Sequence, residues 1–387
     1  MKKIYLDYAA TTPCDPEVIQ AMQPYFFDKF GNPSSIHSFG QEAKKAIEDA
    51  REVVAGFLGA RPEEIIFTSG GTESNNFAVK GIVYALAKKG NHIIISDIEH
   101  HAVSEPAKFL EGAGFKTTVV KVDKYGLVDP ADIKRAITDK TILISVMHAN
   151  NEIGTIQPVA QIGKIAKEEG IYFHSDAVQT IGHIPVNVDE LNVDMLSLSA
   201  HKFYGPKGVG ALYIRKGTRI ERFFHGGAQE RGRRGSTHNT TGIVGLAKAL
   251  ELCRDKMQEE ANFQIRLRDR LIKELPQKIP EIYLNGHPTQ RLPNNVNFAI
   301  KYIEGESMLL NLDMLGIAAS TGSACTSESL EPSHVLLAIG LPHEIAHGSL
   351  RFSMGRWTKE EDVNYLLEQL PAIVKNLRAM SPLYENK

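Results

Sequence analysis

The sequence predicts an α/β protein, with a large domain built on a mainly parallel sheet covered by helices and a smaller α+β domain beside it. Three observations carry this. From Glu63 to Arg215, short apolar runs alternate with amphipathic stretches, the pattern of strands joined by helical crossovers. Several of these runs end in small and polar residues, as strands do at the ligand-binding edge of an open sheet. After the polar, glycine-rich and basic stretch Gly226 to Thr237, the alternation gives way to one long helix and a mixed set of elements.

In order, Ile4 to Tyr8 reads as a strand closed by Thr11-Thr12-Pro13, and Asp15-Pro16 opens the first helix. Phe30 to Ser35 is a turn-rich loop before an amphipathic helix from about Ser38 to Leu58. Glu64 to Phe67 is a strand, Thr68 to Ser74 a small-residue loop. The helix that follows places Phe77, Ala78, Gly81, Ile82, Ala85 and Leu86 on one face and stops at Gly90. Next come strand His92 to Ser96, a helix with Pro106 in its first turn, strand Lys116 to Val122, a helix near Asp132 and strand Thr141 to Met147. A helix over Val159 to Glu168 precedes strands Ile171 to Ser175, Met195 to Ser199 and Gly210 to Arg215. The second part holds a helix from about Thr241 to Glu274, strands Ile282 to Leu284, Asn294 to Phe298 and Ile317 to Ala319, and a helix Ser307 to Asp313. It ends with strand Ser349 to Ser353 and helix Lys359 to Met380. The expected division is 15–257 for the large domain, and 1–14 with 258–387 for the small one.

The 387 residues, 42% hydrophobic and 23% charged, are those of an ordinary globular chain. A formal net charge of -2, with 44 basic and 46 acidic residues interspersed, leaves no footprint for nucleic acid or an anionic membrane. No apolar run approaches bilayer-spanning length, and Asp7 falls where a signal peptide would stay apolar, so a cytoplasmic location is expected. Cys14, Cys253 and Cys325 are widely spaced and contain no CxxC pair, which suggests neither a disulfide framework nor a thiolate metal site.

The chemistry centres on Ser199-Ala-His-Lys-Phe-Tyr-Gly-Pro206. A Lys at a strand's carboxyl end, backed by glycines, is either a solvated loop residue or the amine that forms a Schiff base with a carbonyl cofactor. Four other strand ends offer complementary groups. Ser69-Gly-Gly-Thr-Glu73 leads into a helix and could hold a phosphate, although it is neither GxGxxG nor GxxxxGK[ST]. His100 could lie against a planar ligand. Asn150 and Asn151 offer amides for a polar substituent. Asp176 could hold a pyridine nitrogen protonated, with the Gln179 amide near it. Cys325, among small and polar neighbours, has the setting of a reactive thiol, whereas Cys253 reads as core and Cys14 as incidental. Arg351 either binds a carboxylate bidentately or pairs with a structural acid.

Tyr5-Leu-Asp-Tyr-Ala-Ala-Thr-Thr-Pro13, Phe30-Gly-Asn-Pro-Ser-Ser35, Thr68 to Ser74, Ser199 to Gly208 and Gly322-Ser-Ala-Cys-Thr-Ser-Glu-Ser-Leu-Glu-Pro332 resemble, in the same order, motifs of the NifS/IscS-type cysteine desulfurases. These are fold-type I, class V pyridoxal-phosphate enzymes, so the resemblance implies a seven-stranded sheet and the conversion of L-cysteine to alanine. It implies that Lys202 bonds the cofactor, His100 stacks on its ring, Asp176 pairs with the ring nitrogen, and Asn151 and Gln179 lie near its hydroxyl. Gly71, Thr72, Ser199 and His201 would surround the phosphate, joined by Thr237 from the other subunit of a homodimer. Asn32 and Arg351 would take the substrate carboxylate, and Cys325 would carry the sulfur as a persulfide to an iron–sulfur scaffold or a tRNA-thiolation acceptor.

Two departures from the family pattern stand out: Gly235-Ser236 reverses a common Ser-Gly order, and Gly71 replaces a frequent Ala, which should loosen its loop. An aminotransferase or selenocysteine lyase on the same fold is the nearest alternative, and a non-catalytic sulfur carrier a more distant one. Cys325 argues against the aminotransferase, and the Lys202, Asp176, His100 set against the carrier.

Overall fold

A computed structural model describes residues 3–321, 332–382 and 384. Its strands are β1 (Ile4–Tyr5), β2 (Ile65–Thr68), β3 (His92–Ser96), β4 (Lys116–Val120), β5 (Thr141–Ser145), β6 (Tyr172–Asp176), β7 (Met195–Ser199) and β8 (Gly210–Ile214). β9 (Ile282–Asn285), β10 (Asn295–Ile300), β11 (Ile317–Ala318) and β12 (Ser349–Ser353) follow. Seven strands form the main sheet in the order β2-β8-β7-β6-β5-β3-β4. All its pairings are parallel except those of β8, which runs antiparallel to both β2 and β7. The reason is chain length. Only residues 200–209 separate β7 from β8, too few for a crossover to a parallel neighbour.

Because side chains alternate across a strand, the apolar runs feed two cores. Ile144 of β5 and Leu196 and Leu198 of β7 pack on one face with Val54, Leu58, Ile243 and Leu250. Their neighbours Leu143 and Met195 face the other side, against Phe77, Ile82, Val103 and Leu110. Helices Ser38–Leu58 and Thr240–Lys278 therefore cover the first face, and Gly71–Leu86 and His101–Glu111 the second. The helix Ser38–Leu58 has the bounds the periodicity predicts; Gly59, at φ 71°, ends it in a left-handed turn.

A further core gathers Ile4 and Leu6 with Leu267, Leu271, Phe298, Phe352, Leu366 and Leu370. β1 reaches it by pairing parallel with β11, while β9, β10 and β12 form an antiparallel sheet alongside. The 39-residue helix Thr240–Lys278 serves both regions, with Ile243 to Cys253 in the first and Leu267 to Leu275 in the second. Cys253 is buried there, and burial pushes its thiol up to about 12. No helix among the described residues is long and apolar enough to cross a membrane.

Several local expectations shift. Pro106 is the sixth residue of helix His101–Glu111 rather than part of its first turn, because His100 caps the helix by accepting the Ala102 N–H. Strand β4 ends at Val120, β5 at Ser145, and β6 is displaced by one residue to end on Asp176. The short helices Pro24–Phe27, His334–Ala338 and His343–Ala346 lacked a periodic signal because each is at most five residues long.

The glycine-rich stretch after β8 is anchored by a buried ion pair. Arg51 donates to both carboxylate oxygens of Glu230 at 2.8 Å, and Glu230 also accepts from the Phe67 N–H and His238 Nε2. Burial alone would raise this carboxyl, but Arg51, His238 and the Phe67 N–H outweigh it and hold it down at about 2. A folded-state value below the unfolded one means that this stability is present above about pH 4.5 and is lost as the pH falls towards 2. Glu230→Gln should therefore cost about 3–5 kcal/mol at pH 7, because it removes the buried carboxylate that pairs with Arg51 and leaves that guanidinium only the half-exposed Glu48, at 3.3 Å, as an ionic partner. In urea unfolding, its difference from wild type should shrink as the solution is acidified.

Candidate active site

The carboxyl ends of β2, β3, β5, β6 and β7 converge on a cavity of about 380 Å³. Its floor is the turn after β7. There Ala200–Lys202 forms a single helical turn, locked from outside by Thr12, whose N–H and hydroxyl both donate to the His201 carbonyl at 2.9 and 3.0 Å. The Thr12 hydroxyl also accepts the Tyr204 N–H. Lys202 Nζ donates to the carbonyls of Ala9 and Ala10, both at 2.7 Å. The N-terminal segment thus supplies acceptors that hold the amine within the cavity.

Asp176 ends β6 and is buried. Asn75 Nδ2 donates to its Oδ2 at 2.6 Å and the Val178 N–H to its Oδ1 at 2.9 Å, which pins both carboxylate oxygens. Gln179 follows on the same turn, its amide donating to the Ala9 carbonyl at 2.9 Å. His100 accepts the Ala102 N–H at Nδ1, so the neutral ring carries its proton on Nε2. Burial lowers its pKa, with Lys202 and the neighbouring His101 and His334 adding to this and Asp176 opposing it. His201 is pulled down to about 4 by burial, Lys202 and Lys207. Beside this wall, burial pushes Glu99 up to about 8, with the neighbouring Asp176 adding to the shift and Ser96 and the Met147 N–H opposing it.

Gly71 and Thr72 line the cavity where helix Gly71–Leu86 begins, and Gly70 offers no side-chain cap. The N–H groups and dipole of this helix are therefore available to an anion. Gly71 is tightly packed rather than loose, since a Cβ there would come within 2.7 Å of Val178 Cγ2. Ser199 and Asn151 also line the cavity. Arg351 of β12 enters from the other core: it is buried, with Nη2 donating to Asp7 at 2.7 Å and Nη1 to the Asn151 carbonyl at 2.9 Å.

Ten of the sequence-derived candidates thus line one cavity: Gly71, Thr72, His100, Asn151, Asp176, Gln179, Ser199, His201, Lys202 and Arg351. Two lie elsewhere. Asn32 is exposed and accepts the Ser34 N–H, and Thr237 is exposed in a separate concavity with Phe224 and Gly235. Cys325 lies outside the described residues. The sequence reading missed Asn75, whose signal was a buried-type amide one turn into an apolar helix. It also missed His101 and His334, cavity-lining rings 4.9 Å apart, of which His334 donates to the Glu99 carbonyl at 2.9 Å.

Taken together, the donor set suits a planar carbonyl compound carrying a phosphate and a basic ring nitrogen. The open helix start suits the phosphate, the pinned Asp176 suits the protonated nitrogen, and Lys202 suits the carbonyl. Asn75 Oδ1 is buried beside that carboxylate with no hydrogen-bond partner among the described residues, as expected where a polar ligand completes the site.

The aminotransferase class-V family matches residues 4–366. The chain is 60% identical over 381 residues to a cysteine desulfurase IscS of Dictyoglomus turgidum, covering 98% of this chain and 97% of the relative. Among solved structures, a NifS-like protein superposes with a TM-score of 0.92 at 40% identity, covering 97% of this chain and 100% of the other. SspA in complex with cysteine superposes with a TM-score of 0.81 at 39% identity, covering 91% and 99%. The chain therefore belongs to the aminotransferase class-V family, among its cysteine desulfurases of the NifS/IscS type.

Proposed function

We propose that the protein is a pyridoxal-phosphate-dependent cysteine desulfurase that passes sulfur to an acceptor protein. The observation that carries this is the convergence of Lys202, Asp176, His100 and Arg351 on one cavity beside an open helix start. Lys202 would hold the cofactor covalently, Asp176 its ring nitrogen, His100 its ring face, and Asn151 and Gln179 the region of its hydroxyl. Gly71, Thr72, Ser199 and His201 would surround its phosphate. When bound, pyridoxal phosphate supplies an electron sink for bonds at the substrate Cα.

The protein's own residues then divide the work. Arg351, oriented by Asp7 and the Asn151 carbonyl, presents a guanidinium suited to the carboxylate of L-cysteine. Lys202 Nζ takes the Cα proton and returns it to Cα after the sulfur has left. The Cys325 thiolate attacks the substrate sulfur, forming an S–S bond as the Cβ–S bond breaks. The electron pair of that bond stays with the carbon, which is protonated to give alanine, and the sulfur remains on Cys325 as a persulfide. The desulfurase names among the relatives support this reaction over an aminotransferase, and the cysteine complex of one structural neighbour supports the substrate. An iron–sulfur scaffold or a tRNA-thiolation component would accept the sulfur.

With dithiothreitol and L-cysteine, the holoenzyme should release sulfide and alanine in equal amounts; alanine without sulfide, or consumption of a keto acid, would refute the reading. In the same assay Arg351→Lys should raise KM about tenfold or more, through loss of bidentate recognition.

The homodimer in this proposal is supported by a run of exposed apolar side chains, Phe26, Phe27, Phe30, Ile36 and Phe39, in one segment. Thr237 and Asn32, exposed in the single chain, would reach a site only across such an interface. Light scattering should give twice the 42.8 kDa of one chain.

A further inference from the structure

We propose that His183 is a positioning residue for Lys202: by hydrogen-bonding the lysine's backbone carbonyl, it sets the amine against the Asp176 and Gln179 turn. The inference rests on the cofactor reading above. His183 is buried, and its Nε2 lies 3.1 Å from the Lys202 carbonyl oxygen. A carbonyl can only accept, so Nε2 carries the proton. Burial first, then Arg356 and Lys202, keeps this imidazole neutral despite its hydrogen bond, and the donor persists throughout the working pH range.

The location of His183 matters because it closes the turn that starts at Asp176. The Thr180 N–H donates to the Ala177 carbonyl and the His183 N–H to the Thr180 carbonyl. Asp176, Gln179 and His183 therefore move as one piece. At the cavity, Gln179 and Lys202 Nζ share the Ala9 carbonyl, at 2.9 and 2.7 Å. Lys202 is thus tied to this turn from both sides, at its amine through Ala9 and at its backbone through His183.

Close packing removes the slack between the two turns. At Gly182, φ 80°, a Cβ would come within 2.7 Å of Phe203 Cβ and 3.0 Å of Cys253 Sγ. A lysine that must bond a cofactor and also move a proton needs a fixed backbone pivot, since small displacements of a reacting group cost rate steeply.

The test compares holoenzymes of wild type, His183→Phe, which keeps an aromatic ring without a donor, and His183→Gln, which restores an N–H. Borohydride reduction followed by peptide mass measurement gives the fraction of bound pyridoxal phosphate trapped on Lys202. In His183→Phe total cofactor should stay within about twofold, while the trapped fraction falls and kcat drops about tenfold with KM little changed. His183→Gln should recover both. If His183→Phe does not fold, His183→Asn, too short to reach the carbonyl, must show the same fall. Wild-type trapping and kcat in either donor-less variant would overturn the assignment, as would losses that track the melting temperature and are not rescued by Gln. Absence of trapping in wild type would instead refute the cofactor reading itself, and this inference with it.

Discussion

Cys325→Ala is expected to abolish sulfide release from L-cysteine, a fall of at least about 10³-fold, while the protein still takes up pyridoxal phosphate and binds substrate. The thiolate is the only proposed acceptor of the substrate sulfur, so no other side chain substitutes for it in the bond-forming step. Denaturing mass spectrometry after a single exposure to cysteine provides the check: wild type should gain one sulfur atom at Cys325 and the variant none. Full sulfur transfer from the variant to an acceptor would show that the nucleophile is another group.

Lys202→Ala should have an effect of similar size with a different signature. Its amine is assigned two tasks, covalent attachment of the cofactor and proton transfer at Cα, and loss of the second alone removes about 10²–10⁴-fold in rate. The variant should show no borohydride-trapped cofactor and a turnover reduced at least about 10³-fold, while Asp176, His100 and the helix start still bind the cofactor reversibly. Added methylamine should restore part of the proton transfer but no covalent link at position 202. If the variant traps cofactor on another lysine and turns over normally, Lys202 has been misassigned. Removal of the ammonium also leaves the Ala9 and Ala10 carbonyls without that donor, so a modest drop in melting temperature should accompany it.

Much of the site was legible because its residues fall at strand ends. A strand such as Met195–Ser199 is mostly apolar while it runs through the core, so the switch to Ser199, His201 and Lys202 marks where the chain meets the ligand edge. The same switch marked His100, Asn151, Asp176 and Gln179. Asn75 escaped because a helix shows no such switch: a polar residue on a buried face looks like a pattern defect until its partner is known. Here that partner, Asp176, lies 101 residues away. Pro106 misled for a related reason, since the proline suggested a helix start and the His100 cap that sets it is a side-chain to backbone contact.

Local patterning by itself determined the alternation of strands and helices, the bounds of helices such as Ser38–Leu58, and the identity of half of the cavity-lining residues, because periodicity and turn chemistry are properties of neighbouring residues. Only the tertiary structure decided which groups meet. The carbonyls of Ala9 and Ala10 receive Lys202 from 193 and 192 residues away, Arg351 crosses from the second core to Asp7, and His183 reaches the Lys202 carbonyl. These contacts are made by parts distant in sequence and by backbone atoms that every residue carries, so no residue type announces them; they exist once burial has packed the elements and the displaced polar groups must find partners.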